Sequence, residues 1–373
     1  MMKKQMASGF LILFGILSLL PLIQHAFHPI KLAGLQGAFD KGTPPVLKVS
    51  SWLEGDYQQK ADYYLKNNTG FNGEMVRLRN QLDYSCFGNI NTILTLGKEN
   101  YIFDPNYITA RTGADKLPDY ILSSKSSSII ASIKVLRHLN IPLIICFAPN
   151  KANFYPEYLP DSTSPSVNLN QEYFKTLFIN ENVQVIDLDK WFISLKNLVP
   201  YPLIPKYGAH WSTYGATFAG DTLLKVLASI KNTPVASFSY EDILISEKPM
   251  FTDDDYLASL NLMIKWKSPA MAYPQLKFKE GAKPDVLIIS DSFIWNFFDL
   301  QIAQNCFDTA SRVWYYNKTS FDNNKNNLGP LLGKIEISDI KNRDAIILIA
   351  TGASLKDFGF QFFEQLESLR INE

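Results

Sequence analysis

The sequence predicts an α/β fold whose central parallel sheet is covered by helices on both faces. Two observations carry that expectation. Five short apolar runs recur along the chain: "IPLIICFAP" from Ile141, "VQVIDL" from Val183, "PDVLIIS" from Pro284, "RVWYYN" from Arg312 and "AIILIA" from Ala345. Helical patterns alternate with them, and strands of a sheet covered on both faces read as continuous apolar runs rather than as alternating ones. At 373 residues, 46% of them hydrophobic, the chain is long enough for one large domain or two small ones.

The elements follow in order. Lys3 and Lys4 precede an apolar run from about Phe10 to Leu22, and no small-x-small cleavage site follows. This pattern predicts an uncleaved signal anchor over residues 1–28, with the rest of the chain outside the cytoplasm. Residues 29–50, with Gly34, Gly37, Gly42, Pro44 and Pro45, read as a linker. A single domain is then expected over 51–373. Met75, Leu78, Leu82 and Cys86 recur at helical spacing. "TILTLGKENYIF" reads as a hairpin turning at Gly97-Lys98. Ser126 to Ser128 can cap a helix whose apolar positions are Ile129, Ile130, Ile133 and Leu136. Further helices are expected over 169–178, from Tyr214 to Ile230, from Phe293, and at the C-terminus as far as Leu369. Residues 233–283, with four prolines and the run Asp253 to Asp255, read as an irregular insertion.

Composition narrows the function. A formal net charge of +0 gives no basic face for nucleic acid. Cys86, Cys146 and Cys306 fit neither a metal motif nor a disulfide framework. The acidic run Asp253 to Asp255 lacks the glycine and distal glutamate of a calcium loop and reads as a solvated turn or helix cap. No metal or other cofactor is expected.

Parallel sheets bind ligands at the carboxyl ends of their strands. That edge collects Lys151, the loop "YGAHWSTYGA", Ser292 and Asn317. Ser292 follows the strand "VLIIS" and opens a helix, where first-turn N–H groups can hold an oxyanion. The alternative is that Ser290, Asp291 or Ser292 is only an N-cap. A serine nucleophile needs a base. His25 and His28 belong to the anchor and its exit, and His138 lies at the amino end of its strand. His210 remains, so Ser292 and His210 are the expected catalytic pair.

"SDSF" and "GAHWSTYG" resemble the serine and histidine blocks of the SGNH hydrolases in circularly permuted order, as in the AlgX/AlgJ-type polysaccharide O-acetyltransferases and related DHHW proteins. "GKENYIF" and "APNKANFYPEYLP" are similar too. The resemblance covers roughly residues 50–373. It implies a three-layer α/β/α fold and acetyl transfer to a polysaccharide hydroxyl. The acetyl donor would be supplied by a membrane-bound O-acyltransferase, and the protein would sit in the periplasm or at the cell surface. It also implies Ser292 and Asn317 as oxyanion donors. The family's acid should stand two or three residues before the histidine, where this chain has Gly208 and Tyr207. Asp187, at the end of "VQVID", is a substitute acid or an ordinary cap; Tyr207 and Asp291 are possible supporting groups. Lys151 either contacts an anionic group or is a solvated loop lysine. A backbone carbonyl or a water is expected on the second ring nitrogen, and Gly208→Asp is expected to raise turnover. The rival reading is a catalytically impaired glycan-binding scaffold, with a lipid or peptidoglycan esterase as a third.

Overall fold

A computed structural model describes residues 2–37, 41–160 and 166–369. By proximity along the backbone the chain divides into two units: Met1–Thr92 with Tyr256–Trp266, and Ile93–Asp255 with Lys267–Glu373. The first unit is helical. Its main helices are Met2–Phe27, Asp56–Asn68 and Asn72–Phe87. The excursion 256–266 is tied into it, with the Asn80 side chain donating to the Leu260 carbonyl at 2.9 Å and Asn261 donating to that of Gln36 at 3.0 Å. Helix Met2–Phe27 carries Pro21 in its interior. No helix among the described residues is long and apolar enough to cross a membrane.

The second unit is built on seven strands: β1 (Leu143–Ala148), β2 (Gln184–Asp187), β3 (Val286–Ser290), β4 (Arg312–Tyr315), β5 (Thr319–Asp322), β6 (Asn327–Pro330) and β7 (Ala345–Thr351). Their order across the sheet is β6-β5-β4-β3-β7-β1-β2. The five apolar runs are the five parallel strands, β4-β3-β7-β1-β2. The antiparallel pair β5 and β6 extends one edge. Its sequence, rich in Asn, Asp and Lys, lacks the apolar signal that marks the others.

Every residue of β1, β3 and β7 is buried. Alternate side chains enter two separate cores. Ile144, Cys146, Ile288 and Ile347 pack on one face with Leu223, Leu224 and Leu227 of helix Thr213–Lys231. Ile145, Phe147, Leu287 and Leu348 pack on the other with Ile129, Ile133, Phe174 and Phe178. The result is three layers, helix–sheet–helix, as expected. A buried Leu, Ile or Phe contributes roughly 1.5–3 kcal/mol, so this paired burial dominates local preferences. Accordingly, the helix expected to start at Ser126 begins at Asp119 and runs to His138 through the serines. Ser132, fully buried, donates its hydroxyl to the Phe363 carbonyl at 2.8 Å, which removes the cost of burying it.

Residues 233–283 are more regular than expected. Ser237–Ser246 and Met271–Lys279 form a long antiparallel ribbon. The excursion between its strands carries Asp253 and Asp255 before passing into the first unit.

Candidate active site

The segment that carries Ser292 starts at Ser290, the last residue of β3. A helix was expected to open at Ser292; instead there is a short 3₁₀ turn, Ser292–Ile294, followed by helices Trp295–Asp299 and Ile302–Cys306. Such short pieces carry little dipole, so single N–H groups matter more than helix direction. Asp291 caps the turn. One of its oxygens accepts from the Phe293 N–H at 3.2 Å. The other accepts from the Thr351 N–H at 3.0 Å and the Ser354 hydroxyl at 3.1 Å. Asp291 thereby pins the bend after β3 to the end of its neighbour β7. Burial raises its pKa, and these donors hold it partly down.

His210 reaches the same edge from the loop before helix Thr213–Lys231. Ser212 caps that helix, its Oγ accepting from the Gly215 N–H at 2.9 Å. Trp211, fully buried, meets Phe293 edge-on at 4.9 Å and stacks on Phe297 at 5.5 Å. Lys151 is fully buried, and its ammonium donates to the carbonyls of Lys206 (2.7 Å) and Gly208 (2.8 Å). Burial lowers its pKa well below the usual lysine range. It is not a solvated loop lysine: its two bonds tie β1's end to the histidine loop.

These supports bring His210 Nε2 to 2.7 Å from Ser292 Oγ, across 82 residues of sequence. His210 Nδ1 lies 3.0 Å from Asp255 Oδ2. The approach lacks the alignment of a linear hydrogen bond, a looseness common in sites without substrate. A carboxylate beside Nδ1 places the ring proton there, leaving Nε2 to accept from the serine hydroxyl. Asp255 Oδ1 accepts from the Ala209 N–H at 2.8 Å, so one carboxylate grips both the ring and the loop that carries it.

The expected carbonyl or water on the second ring nitrogen is therefore replaced by a carboxylate, and it comes from the acidic run that read as a solvated turn. Its neighbour Asp253 is also buried and accepts from the Thr213 N–H at 3.1 Å. Burial pushes the Asp253 pKa up to about 7. Thr252 donates to the side chain of Asn296 at 3.2 Å, fastening this loop to the helix after the nucleophile. Gly208 explains why the acid is not two residues before the histidine. A Cβ there would sit 2.6 Å from Pro205 Cγ and 2.7 Å from the Thr252 carbonyl oxygen. The loop that delivers Asp255 occupies the space an aspartate at 208 would need, so Gly208→Asp would displace the acid already present.

The other expected residues lie elsewhere. Asp187 accepts from the Lys190 N–H at 3.0 Å and pairs with Lys175 at 3.0 Å, the capping role. Tyr207 is buried, with the Lys206 ammonium 5.4 Å from its ring. Asn317 does not offer its amide to Ser292: the Nδ2 donates to the Phe360 carbonyl and to Gln365 Oε1, each at 3.0 Å. Its main-chain N–H turns to the Trp314 carbonyl at 3.4 Å.

Tyr316 stands beside it. Tyr316 follows β4 in a left-handed conformation with φ of 49°, and its N–H donates to the Ser290 carbonyl at 2.8 Å. Its phenol oxygen faces the hydroxyl and the main-chain N–H of Ser292. Burial, with Asp291 adding to it, pushes the phenol up to about 12. Only its place one step beyond a parallel strand could have drawn attention to it. Among the described residues no cluster of side chains is suited to a metal ion.

No protein-family model matches the sequence, and no curated protein matches it. Solved structures do. The O-acetyltransferase domain of Pseudomonas putida AlgJ is 18% identical, with a TM-score of 0.49, over 74% of this chain and 98% of that one. Bacillus cereus PatB1 with a sulfonyl adduct is 11% identical, with a TM-score of 0.45, over 73% of this chain and 99% of that one. Pseudomonas aeruginosa AlgX is 11% identical, with a TM-score of 0.44, over 73% of this chain and 67% of that one.

Proposed function

We propose that this protein transfers an acetyl group from an ester donor to a hydroxyl of an extracytoplasmic polysaccharide, through a serine acyl-enzyme. The observation that carries the reading is the relay Asp255–His210–Ser292, with contacts of 3.0 and 2.7 Å. Each step follows from it. Ser292 Oγ attacks the acetyl carbonyl carbon while its proton passes to His210 Nε2, and Asp255 stabilises the imidazolium. The C–O bond to the donor breaks and the leaving oxygen takes that proton. A sugar hydroxyl then gives its proton to His210 and attacks the acetyl-serine, which releases the acetylated glycan and restores the Ser292 hydroxyl.

The acetyl group and the glycan acceptor rest on the likeness of the serine and histidine blocks to polysaccharide O-acetyltransferases. Beside the histidine loop, half-buried Tyr101 and Tyr158 stack at 3.8 Å, and the Lys206 ammonium lies 5.0 Å from the Tyr101 ring. Aromatic rings beside the site are a feature that suits a sugar. In this reading the N-terminal segment, with Lys3 and Lys4 before its apolar run, holds the protein at the membrane. A membrane-bound O-acyltransferase supplies the acetyl group.

The test is turnover of a small acetyl ester by the full chain. Ser292→Ala and His210→Ala should each abolish it, and mass spectrometry should find a 1:1 acetyl adduct on Ser292. If wild type forms no adduct with any acetyl donor, the protein is a glycan-binding scaffold instead. Protease added to cells with a permeabilised outer envelope should digest the domain, whereas full protection would refute the location.

A further inference from the structure

We propose that Tyr316 is the side-chain donor of the oxyanion pocket: its phenol O–H and the main-chain N–H of Ser292 together hold the carbonyl oxygen as charge develops there. The inference rests on the acyl-transfer reading above and adds the group that reading lacks. A serine acyl-enzyme requires donors aimed at the oxyanion. The Ser292 N–H is one. The side-chain amide of Asn317 is spent on Phe360 and Gln365, and its N–H is turned to Trp314. The turn after Ser292 is too short to contribute a helix terminus.

Tyr316 is placed to fill that gap. β4 lies beside β3, with Tyr315 opposite Ser290, so the next residue of each strand emerges at the same edge. The left-handed backbone at Tyr316 and the bond from its N–H to the Ser290 carbonyl turn the side chain back toward the nucleophile. A non-glycine residue held in that conformation costs about 1–3 kcal/mol, and such strain clusters at functional sites. Its ring packs edge-on to Tyr315, at 4.7 Å, and Phe360, at 5.2 Å. The phenol oxygen lies near the hydroxyl and the N–H of Ser292. With its pKa pushed up by burial, the phenol keeps its proton at neutral pH and can donate it.

The step balances without a further reactant. Ser292 Oγ bonds to the acetyl carbon, and the π pair of the carbonyl moves to its oxygen. That oxygen accepts from the Ser292 N–H, displacing the phenol oxygen, while the phenol O–H turns to donate to it. When the oxyanion collapses, the donor alkoxide leaves with the proton from His210. Tyr316 keeps its proton throughout.

The test uses the full chain with 4-nitrophenyl acetate, comparing wild type, Tyr316→Phe and Ser292→Ala. Removing one oxyanion donor lowers kcat roughly 100- to 1000-fold. Tyr316→Phe should show that loss at nearly unchanged KM. Near-wild-type kcat in Tyr316→Phe while Ser292→Ala is inactive would overturn the role of Tyr316 and leave acyl transfer standing; a raised KM at unchanged kcat would do the same. Equal turnover in wild type and Ser292→Ala would sink acyl transfer itself, and this inference with it. Should Tyr316→Phe fail to fold, fluorotyrosine at position 316 preserves the shape and makes the phenol more acidic. A kcat that changes with fluorination supports the donor role, and an unchanged one overturns it.

Discussion

Asp255 does two things at the residue scale. Its carboxylate lies 3.0 Å from His210 Nδ1, and through the Ala209 N–H it sets the position of the loop. Asp255→Asn keeps the size and removes the charge that stabilises the imidazolium. We expect kcat for acetyl ester turnover to fall roughly 10³- to 10⁴-fold with the fold intact, as for the acid of other serine relays. A fall of less than about tenfold would make Asp255 a loop anchor and no more. Gly208→Asp should lower turnover instead of raising it, because a Cβ at 208 would press on Pro205 and the Thr252 carbonyl.

At the scale of elements, the site depends on three pieces meeting: the bend after β3, the histidine loop and the excursion from the ribbon. Gly208 is where the second and third touch. Gly208→Ala places a methyl against the Thr252 carbonyl and must push the two loops apart. Overpacking of this kind costs about 1–3 kcal/mol, and here the loss should appear in activity as well. Urea unfolding together with ester turnover checks both. A variant with wild-type stability and turnover would show that the contact between the loops is not needed. Lys151 works at the same scale from below, since removing its ammonium leaves the Lys206 and Gly208 carbonyls without that donor.

At the scale of the molecule, buried carboxyls link stability to pH. Asp253 moves from its ordinary 3.8 to about 7 on folding. Between those values the folded chain holds a proton that the unfolded chain has released. Stability from this group therefore falls as pH rises through the window and is level above it. Asp189, pushed to about 6 by burial, contributes over the lower part of the same range. Wild type should lose stability relative to Asp253→Asn as pH is raised from about 4 to about 7, followed by thermal unfolding. A pH-independent difference would mean that Asp253 is not protonated in the folded state. If titration of Asp253 also loosens the excursion that carries Asp255, ester turnover should change over the same window.

The sequence by itself determined the five parallel strands and placed Ser292 and His210 at one edge of their sheet. The three central strands are buried on both faces and the two flanking ones carry shorter apolar runs, so all five parallel strands were legible. Ser292 and His210 were legible because strand ends in such a sheet share one edge. Tertiary structure decided the rest. Asp255, Lys151 and Tyr316 meet residues far away in sequence, and nothing local separates a packed aspartate from a solvated one. Asp253 to Asp255 read as a surface turn because three successive charges usually are one. The ribbon Ser237–Ser246 with Met271–Lys279 carries that turn back to the histidine loop. Asn317 read as an oxyanion donor from its place after a strand. The left-handed backbone at Tyr316 and Asn317, where φ is 49° and 52°, instead accompanies an Asn317 amide bonded to Phe360 and a phenol facing Ser292. The physical reason is the same in each case: a strand's burial is written in its own residues, whereas a side chain's partner is set by where another segment ends.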